Sequence, residues 1–399
     1  MSDRNDLDIE RALDAMMAAG MNRRTLMRHA GAGALSLGVI GFLAACGGDD
    51  GGNGAAKVIA KGEVSDTLNF SNWPLYIDVE GKKRPTLDKF RREYGTRVKY
   101  TEEINDNVEF FGKVRQQYDR GDSGGRDIHV VTDWLCNRMN QLGFVQKFDK
   151  SEMPNVVKNI EDAVASPDFD PKREISVPWQ SGQVFLIYRK DKVGGDLTSV
   201  NDLFDPKFKG KVTMLSEMRD TVGSVLLGNG VEPEKATKDQ ALEAIEKIQK
   251  ASADGQIRRF TGNEYTRGLL SGDAVAALGW SGDAVQLQID SDDVAYRHPD
   301  EGFMIFTDSV QVPVGAPHAF TAQKMVDFVY RPEIQVPITA YIQYVPPVKG
   351  IRPLLERSNP ELAESDLIFP DLSKSHSLKT FSDEEEQEIE AAFQAAIGT

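Results

Sequence analysis

From residue 67 onward, short apolar runs alternate with amphipathic stretches. Leu68-Asn69-Phe70-Ser71-Asn72-Trp73 alternates apolar and polar positions as a half-buried strand does. Thr86 is expected to cap a helix that carries Leu87, Phe90 and Tyr94 and stops at Gly95. Val98-Lys99-Tyr100 predicts a second strand, and Val108, Phe110, Phe111, Val114 and Tyr118 share one helical face before Gly121. Ile128-His129-Val130-Val131 predicts a third strand, with Leu135, Met139 and Leu142 on the helix after it. A second series follows: Val184-Phe185-Leu186-Ile187-Tyr188, Val212-Thr213-Met214-Leu215 leading into a helix start, an amphipathic helix over 241–248, and the strand Val275-Ala276-Ala277-Leu278-Gly279-Trp280. Ser382-x-x-Glu385 is a capping box before a last helix with Ile389, Phe393 and Ile397. Alternating strands and helices at this spacing predict βαβ units and a largely parallel sheet.

The first 66 residues follow a different pattern. Asn22-Arg23-Arg24-Thr25-Leu26-Met27-Arg28 resembles a twin-arginine export signal, and the apolar run 30–45 after it is shorter than the roughly 20 residues that cross a bilayer. The run ends in Leu43-Ala44-Ala45-Cys46, which resembles a lipobox. Residues 1–45 therefore read as a removable signal, Cys46 as a lipidated N-terminus and 46–66 as a flexible tether rich in Gly and Asp. One diacyl anchor on a tether sets a folded body on the outer face of a cell membrane, in a periplasm or at a cell surface.

The whole chain has 399 residues, more than one core usually holds, so two lobes are expected. Its formal net charge is −15. The signal contains as many acidic residues (Asp3, Asp6, Asp8, Glu10, Asp14) as basic ones (Arg4, Arg11, Arg23, Arg24, Arg28), so the mature chain keeps that charge. Such a balance opposes nucleic-acid binding, which needs a positive counter-surface, and suits cationic partners or simple solubility. With Cys46 acylated, only Cys136 remains and no internal disulfide can form.

Catalytic patterns are sparse. Gly121-Asp122-Ser123-Gly124-Gly125 matches G-x-S-x-G, but it follows a predicted helix and precedes a strand, the reverse of a nucleophile elbow. It reads as a glycine-rich turn. His129, His298, His318 and His376 show no metal spacing, and no Cys-x-x-Cys, P-loop or dinucleotide fingerprint occurs. No cofactor or metal is expected.

Aromatics and carboxylates recur at the predicted strand ends: Trp73 and Tyr76, Asp133 and Trp134, Glu217 and Asp220, Trp280 and Asp283, then Phe306 and Asp308, and Tyr344. In parallel α/β sheets these ends line the ligand crevice. A carboxylate grips an ammonium through charge-assisted hydrogen bonds, and an aromatic face attracts a cation and packs on methylenes. A flexible diamine or polyamine needs both along its length. Each aromatic alone also fits a core position, and each acid a helix start.

At these residues the chain resembles the periplasmic spermidine/putrescine-binding proteins of ABC importers, a group of bacterial extracellular solute-binding lipoproteins. The matching stretches are 72–78 (Asn-Trp-Pro-Leu-Tyr-Ile-Asp), 127–131, 205–212 (Asp-Pro-Lys-Phe-Lys-Gly-Lys-Val), Ser271-Gly272-Asp273 with Trp280, Arg331-Pro332-Glu333 and Tyr344-Val345-Pro346-Pro347. The resemblance implies an α/β, two-lobe Venus-flytrap fold. Lobe 1 would comprise 67–180 plus 307–350, and lobe 2 181–306 plus 351–399, with hinge crossovers near Trp179-Gln180-Ser181 and Phe306-Thr307. It implies a polyamine ligand, a cognate permease with its ATPase as partners, and a monomer without chemistry of its own. By position it assigns ligand contacts to Trp73, Tyr76, Thr132, Trp134, Glu217, Asp220, Trp280, Asp308 and Tyr344. Two departures bear on ligand length: Pro74-Leu75 stands where the family often has an acid, and Phe306 where a tryptophan is usual. The alternatives are a binder of another small organic cation or amine and, from a different class, an exported enzyme.

Overall fold

The computed structural model describes residues 56–398. Ten strands are described: β1 (Thr67–Asn72), β2 (Arg97–Glu102), β3 (Ile128–Thr132), β4 (Val177–Arg189), β5 (Val212–Leu215), β6 (Ile257–Thr261), β7 (Ala276–Trp280), β8 (Val294–Arg297), β9 (Phe303–Gln311) and β10 (Ser375–His376). They follow the order β2-β1-β3-β9-β4-β7-β5-β6, with β8 beside β4 and β10 beside β9.

The long strands β4 and β9 explain the two lobes. Residues 177–183 of β4 pair with β9, which in turn pairs with β3 through 308–311. Residues 184–188 of the same strand pair instead with β7. One lobe is therefore built on β1, β2 and β3, the other on β5, β6 and β7, and β4 and β9 carry the chain between them. Pairing within each lobe is parallel (β1 with β2 and β3, β5 with β6 and β7), but the two long strands run antiparallel to each other, and β9 to β3 and β4 to β7 and β8; only the short β10 lies parallel to β9. The sheet is thus mixed. The crossing strands must reverse direction between lobes, which a pattern of local βαβ units does not reveal.

Helices pack their apolar stripes on these strands. Helix Pro85–Tyr94 buries Leu87 and Phe90 and ends on Gly95 at φ 78°, a left-handed position that glycine adopts without strain. Thr86 is not its cap. The helix starts at Pro85, and the Thr86 amide inside the first turn donates to Asp78 Oδ2 at 3.0 Å. Helix Asn107–Tyr118 is capped by Asp106, whose carboxylate accepts from the amides of Val108 and Glu109. Helix Asp133–Gln141 buries Leu135, Cys136 and Met139, and Leu142 lies just past its end, exposed. The capping box at Ser382 opens helix Asp383–Ile397.

The expected signal and Cys46 lie outside the described residues. Part of the expected tether does not: Ile59 is buried, its amide donates to the Lys147 carbonyl, and the Ser65 amide donates to Thr321. The segment from Lys57 to Ser65 is therefore docked on the body, because Ile59 is an apolar anchor within a polar stretch.

Gly121, Gly124 and Gly125 all take positive φ in the turn between helix and β3, and Ser123 is buried, which matches a turn rather than a nucleophile. Each described histidine has a partner. His129 is enclosed between Tyr118 and Gln311, and burial lowers it to about 4, so it is neutral.

Candidate functional site

A cavity of about 490 Å³ opens between the lobes, against the carboxyl ends of β1, β3, β5 and β7. All nine residues assigned from the sequence line it. They arrive by different routes. Trp73 follows β1, Thr132 ends β3, Trp134 stands in the first turn after it, and Trp280 ends β7. Glu217 and Asp220 flank the start of helix Met218–Gly228, one turn apart, which turns both toward one side. Two placements differ from the expected strand ends. Asp308 lies in the middle of β9, and Tyr344 follows helix Pro332–Ile342 rather than a strand.

Asp308 is 4% exposed. Tyr76 Oη donates to its Oδ2 at 2.8 Å and Thr132 Oγ1 to its Oδ1 at 2.7 Å. Burial, reinforced by the charges of Asp133 and Asp220, raises its carboxyl to about 7 despite these two bonds. Asp220 accepts from the Trp280 indole at 2.8 Å and is raised to about 6 by burial. Asp283, half-buried, accepts from Tyr265 Oη at 2.6 Å and Asn263 Nδ2 at 2.8 Å and is also raised to about 6 by burial. Glu217 accepts from the amide and the side chain of Asn107, and burial plus the charges of Asp106 and Asp220 push it well above the usual carboxylate range.

Five carboxyl groups thus line one cavity. Asp133 is paired with the buried Arg173 guanidinium, and among the described residues no basic side chain bonds to the other four. Arg219 is the cation on the wall. Its charge offsets part of the shift at Asp220, but its guanidinium is held by Glu386 and by the carbonyls of Leu378 and Lys379, over the Trp134 ring. It is drawn into the C-terminal segment rather than set among the acids.

The walls are aromatic. Trp280 meets Trp73 edge-on at 6.1 Å and Phe306 at 6.3 Å, and Tyr76 meets Tyr344 at 5.2 Å. Two glycines make room for Tyr344. A Cβ on Gly182 of β4, or on Gly282 after β7, would overlap opposite edges of its ring. The backbone of Val345 exchanges two hydrogen bonds with Ser181 and pins this corner to β4. At the mouth, Pro74 and Leu75 line the cavity. Leu75 holds φ at 56°, a region costly for a residue with Cβ, and its side chain stays 46% exposed on the rim.

Reading single residues missed Asn107, which links Glu217 to Thr132, and left Asp283 and Arg219 out of the site. Asp283 had a signal, an acid three residues after Trp280. Asn107 had none, because its role comes from contacts across 110 residues.

The carboxyl values carry a pH prediction. Each folded value lies above its unfolded one, so these groups stabilise the ligand-free fold below about pH 4 and lose that contribution as pH rises through 6–7. A cationic ligand favours the ionised forms and must displace their protons. Affinity for a cation is expected to fall at least about tenfold from about pH 8 to about pH 5, with proton release on binding. Calorimetry in buffers of different ionisation enthalpy checks both; pH-independent binding without proton release contradicts the carboxyl assignment.

A family model described as bacterial extracellular solute-binding protein matches residues 86–366. The spermidine/putrescine-binding periplasmic protein of Salmonella typhimurium is 25% identical over 309 residues, 77% of this chain and 84% of that one. The putrescine-binding periplasmic protein SpuD of Pseudomonas aeruginosa is 26% identical over 347 residues, 80% and 91% of the two chains. Among solved structures, the TpPotD lipoprotein of Treponema pallidum superposes with a TM-score of 0.69 at 20% identity, covering 84% of this chain and all of that one. The substrate-binding protein PotD of Streptococcus pneumoniae gives 0.67 at 21%, covering 83% and 98%.

Proposed function

We propose that this chain, which belongs to the bacterial extracellular solute-binding protein family, binds a polyamine of the putrescine or spermidine type between its lobes and delivers it to the permease of an ABC importer. The observation that carries this reading is Asp308. It is a buried carboxyl at the centre of an aromatic cavity, hydrogen-bonded only to neutral hydroxyls, with four further carboxyls around it, of which only Asp133 is paired with an arginine. An unpaired buried carboxylate is costly, and a ligand ammonium relieves that cost. Several acids along an aromatic slot match several ammonium groups joined by methylenes. The 25–26% identical relatives are spermidine/putrescine- and putrescine-binding proteins, which supports the same ligand class. The protein acts by binding alone, as a monomer, with no cofactor or metal. Lobe 1 takes 67–180 plus 307–350 and lobe 2 181–306 plus 351–399, hinged where Ser181 and Gly182 pair with Thr307 and Phe306.

Isothermal titration with putrescine, spermidine and a neutral sugar tests the ligand class. Saturable binding of a polyamine and none of the sugar is expected. Binding of another organic cation with no response to either polyamine would replace the ligand assignment.

The same reading places the mature chain outside the cytoplasmic membrane, exported by its twin-arginine signal and held by a lipid on Cys46. Cys46→Ala is expected to release the protein from membranes or to block its processing. Fractionation checks this, and a processed variant still retained on membranes overturns it.

A further inference from the structure

We infer that the 105–107 corner of one lobe and the 216–217 corner of the other form a clasp that holds the cleft closed, and that Asn107 is the positioning residue coupling this closure to Asp308. The inference rests on the polyamine reading only for the choice of ligand.

The two corners come from different lobes. Residues 105–107 follow β2 and open helix Asn107–Tyr118, whereas Ser216 and Glu217 follow β5. Ser216 Oγ donates to Asp106 Oδ2 at 2.7 Å. The amide and the side-chain nitrogen of Asn107 both donate to Glu217 Oε1, at 2.9 and 2.8 Å. Asn105 Nδ2 reaches Glu264 Oε1 at 2.9 Å, and Gly262 lies so close to the Asn105 carbonyl that a Cβ there would overlap it. Three consecutive residues of one lobe therefore bond to three acceptors or donors of the other, two of the acceptors carboxyl groups.

Asn107 does more than bridge the corners. Its Nδ2 also donates to Thr132 Oγ1 at 2.8 Å, and its Oδ1 accepts from the Thr132 amide at 3.2 Å. Thr132 Oγ1 then donates to Asp308. One unbroken chain runs from Glu217 through Asn107 and Thr132 to Asp308 and on to Tyr76. Opening the cleft breaks the Glu217 end, which frees Asn107 and, through it, the hydroxyl that orients Asp308. Closure and carboxylate orientation are thus one event. A contact formed on closure holds a captured ligand more than it speeds its arrival, so the effect falls on dissociation.

Two variants test this. Asn107→Ala removes the coupling residue, and Ser216→Ala removes one clasp bond by a side chain that does not line the cavity. Stopped-flow tryptophan fluorescence with putrescine and spermidine gives the rates. In Asn107→Ala, dissociation is expected to quicken about tenfold or more, with association changed by less than about threefold. Ser216→Ala should show a smaller shift of the same sign. Nitroxides on Lys89→Cys and Glu243→Cys, exposed positions on helices of the two lobes, report the lobe distance without ligand. Both variants should then populate longer distances than the parent. Unchanged dissociation and unchanged distances in both folded variants would overturn the clasp. If the parent chain binds neither polyamine, the ligand reading fails, while the distance measurement still decides the clasp.

Discussion

Asp308→Asn is expected to weaken polyamine binding by at least about tenfold while the chain stays folded. The substitution keeps the shape of the side chain and an oxygen for one of its two hydroxyl donors, and it removes only the charge. Truncating one partner of a desolvated charge pair typically costs about 2–5 kcal/mol, and tenfold corresponds to about 1.4 kcal/mol. Stability should move the other way. At neutral pH the buried carboxyl, raised to about 7, is partly ionised without a cation beside it. Asparagine relieves that, so the melting temperature of the ligand-free variant at about pH 8 should equal or exceed that of the parent. A carboxyl serving only the fold would give the opposite pair of results. Titration together with a melting curve separates them, and a folded Asp308→Asn variant that binds like the parent refutes the site.

Trp280→Ala should weaken binding by a similar factor and also destabilise the fold. The ring is buried, meets Trp73, Tyr265 and Phe306, and carries the indole N–H that bonds Asp220. Removing a large buried aromatic typically costs about 3–5 kcal/mol. The melting temperature therefore drops, and Asp220 loses its donor. Trp280→Phe separates the two roles. It keeps most of the wall, so it should restore most of the stability. The lost N–H should raise Asp220 further and shift the acid limb of binding to higher pH. A Trp280→Phe variant with parental pH dependence would show that Asp220 takes no part in binding.

Much of this site was legible in the sequence because its residues stand in short local runs: Trp73 with Tyr76, Glu217 with Asp220, Trp280 two places before a glycine. The strand-helix alternation likewise placed β1, β2, β3, β5 and β7, whose apolar runs are short and bounded. Of the two crossing strands, the run 184–188 marked only the second half of β4, and β9 escaped it. β4 is buried along nearly its whole length, so it shows no alternation, and β9 mixes Phe303, Met304 and Ile305 with Thr307, Asp308 and Ser309. Their antiparallel pairing is a long-range choice made by the other strands. Asn107 was hidden for the same reason, since nothing in Asp106-Asn107-Val108 announces a partner at 217.

The glycines around Tyr344 bear on how the ligand preference of such a chain can change over generations. A side chain at 182 or 282 would drive the tyrosine ring off its seat, so neither position is open to gradual variation while that ring is kept. The floor of the cavity is thereby frozen by two missing side chains. New selectivity has to arise elsewhere on the wall, at places where a substitution alters the slot without unseating its base. Leu75 on the exposed rim is such a place. Drift in this lineage should concentrate there.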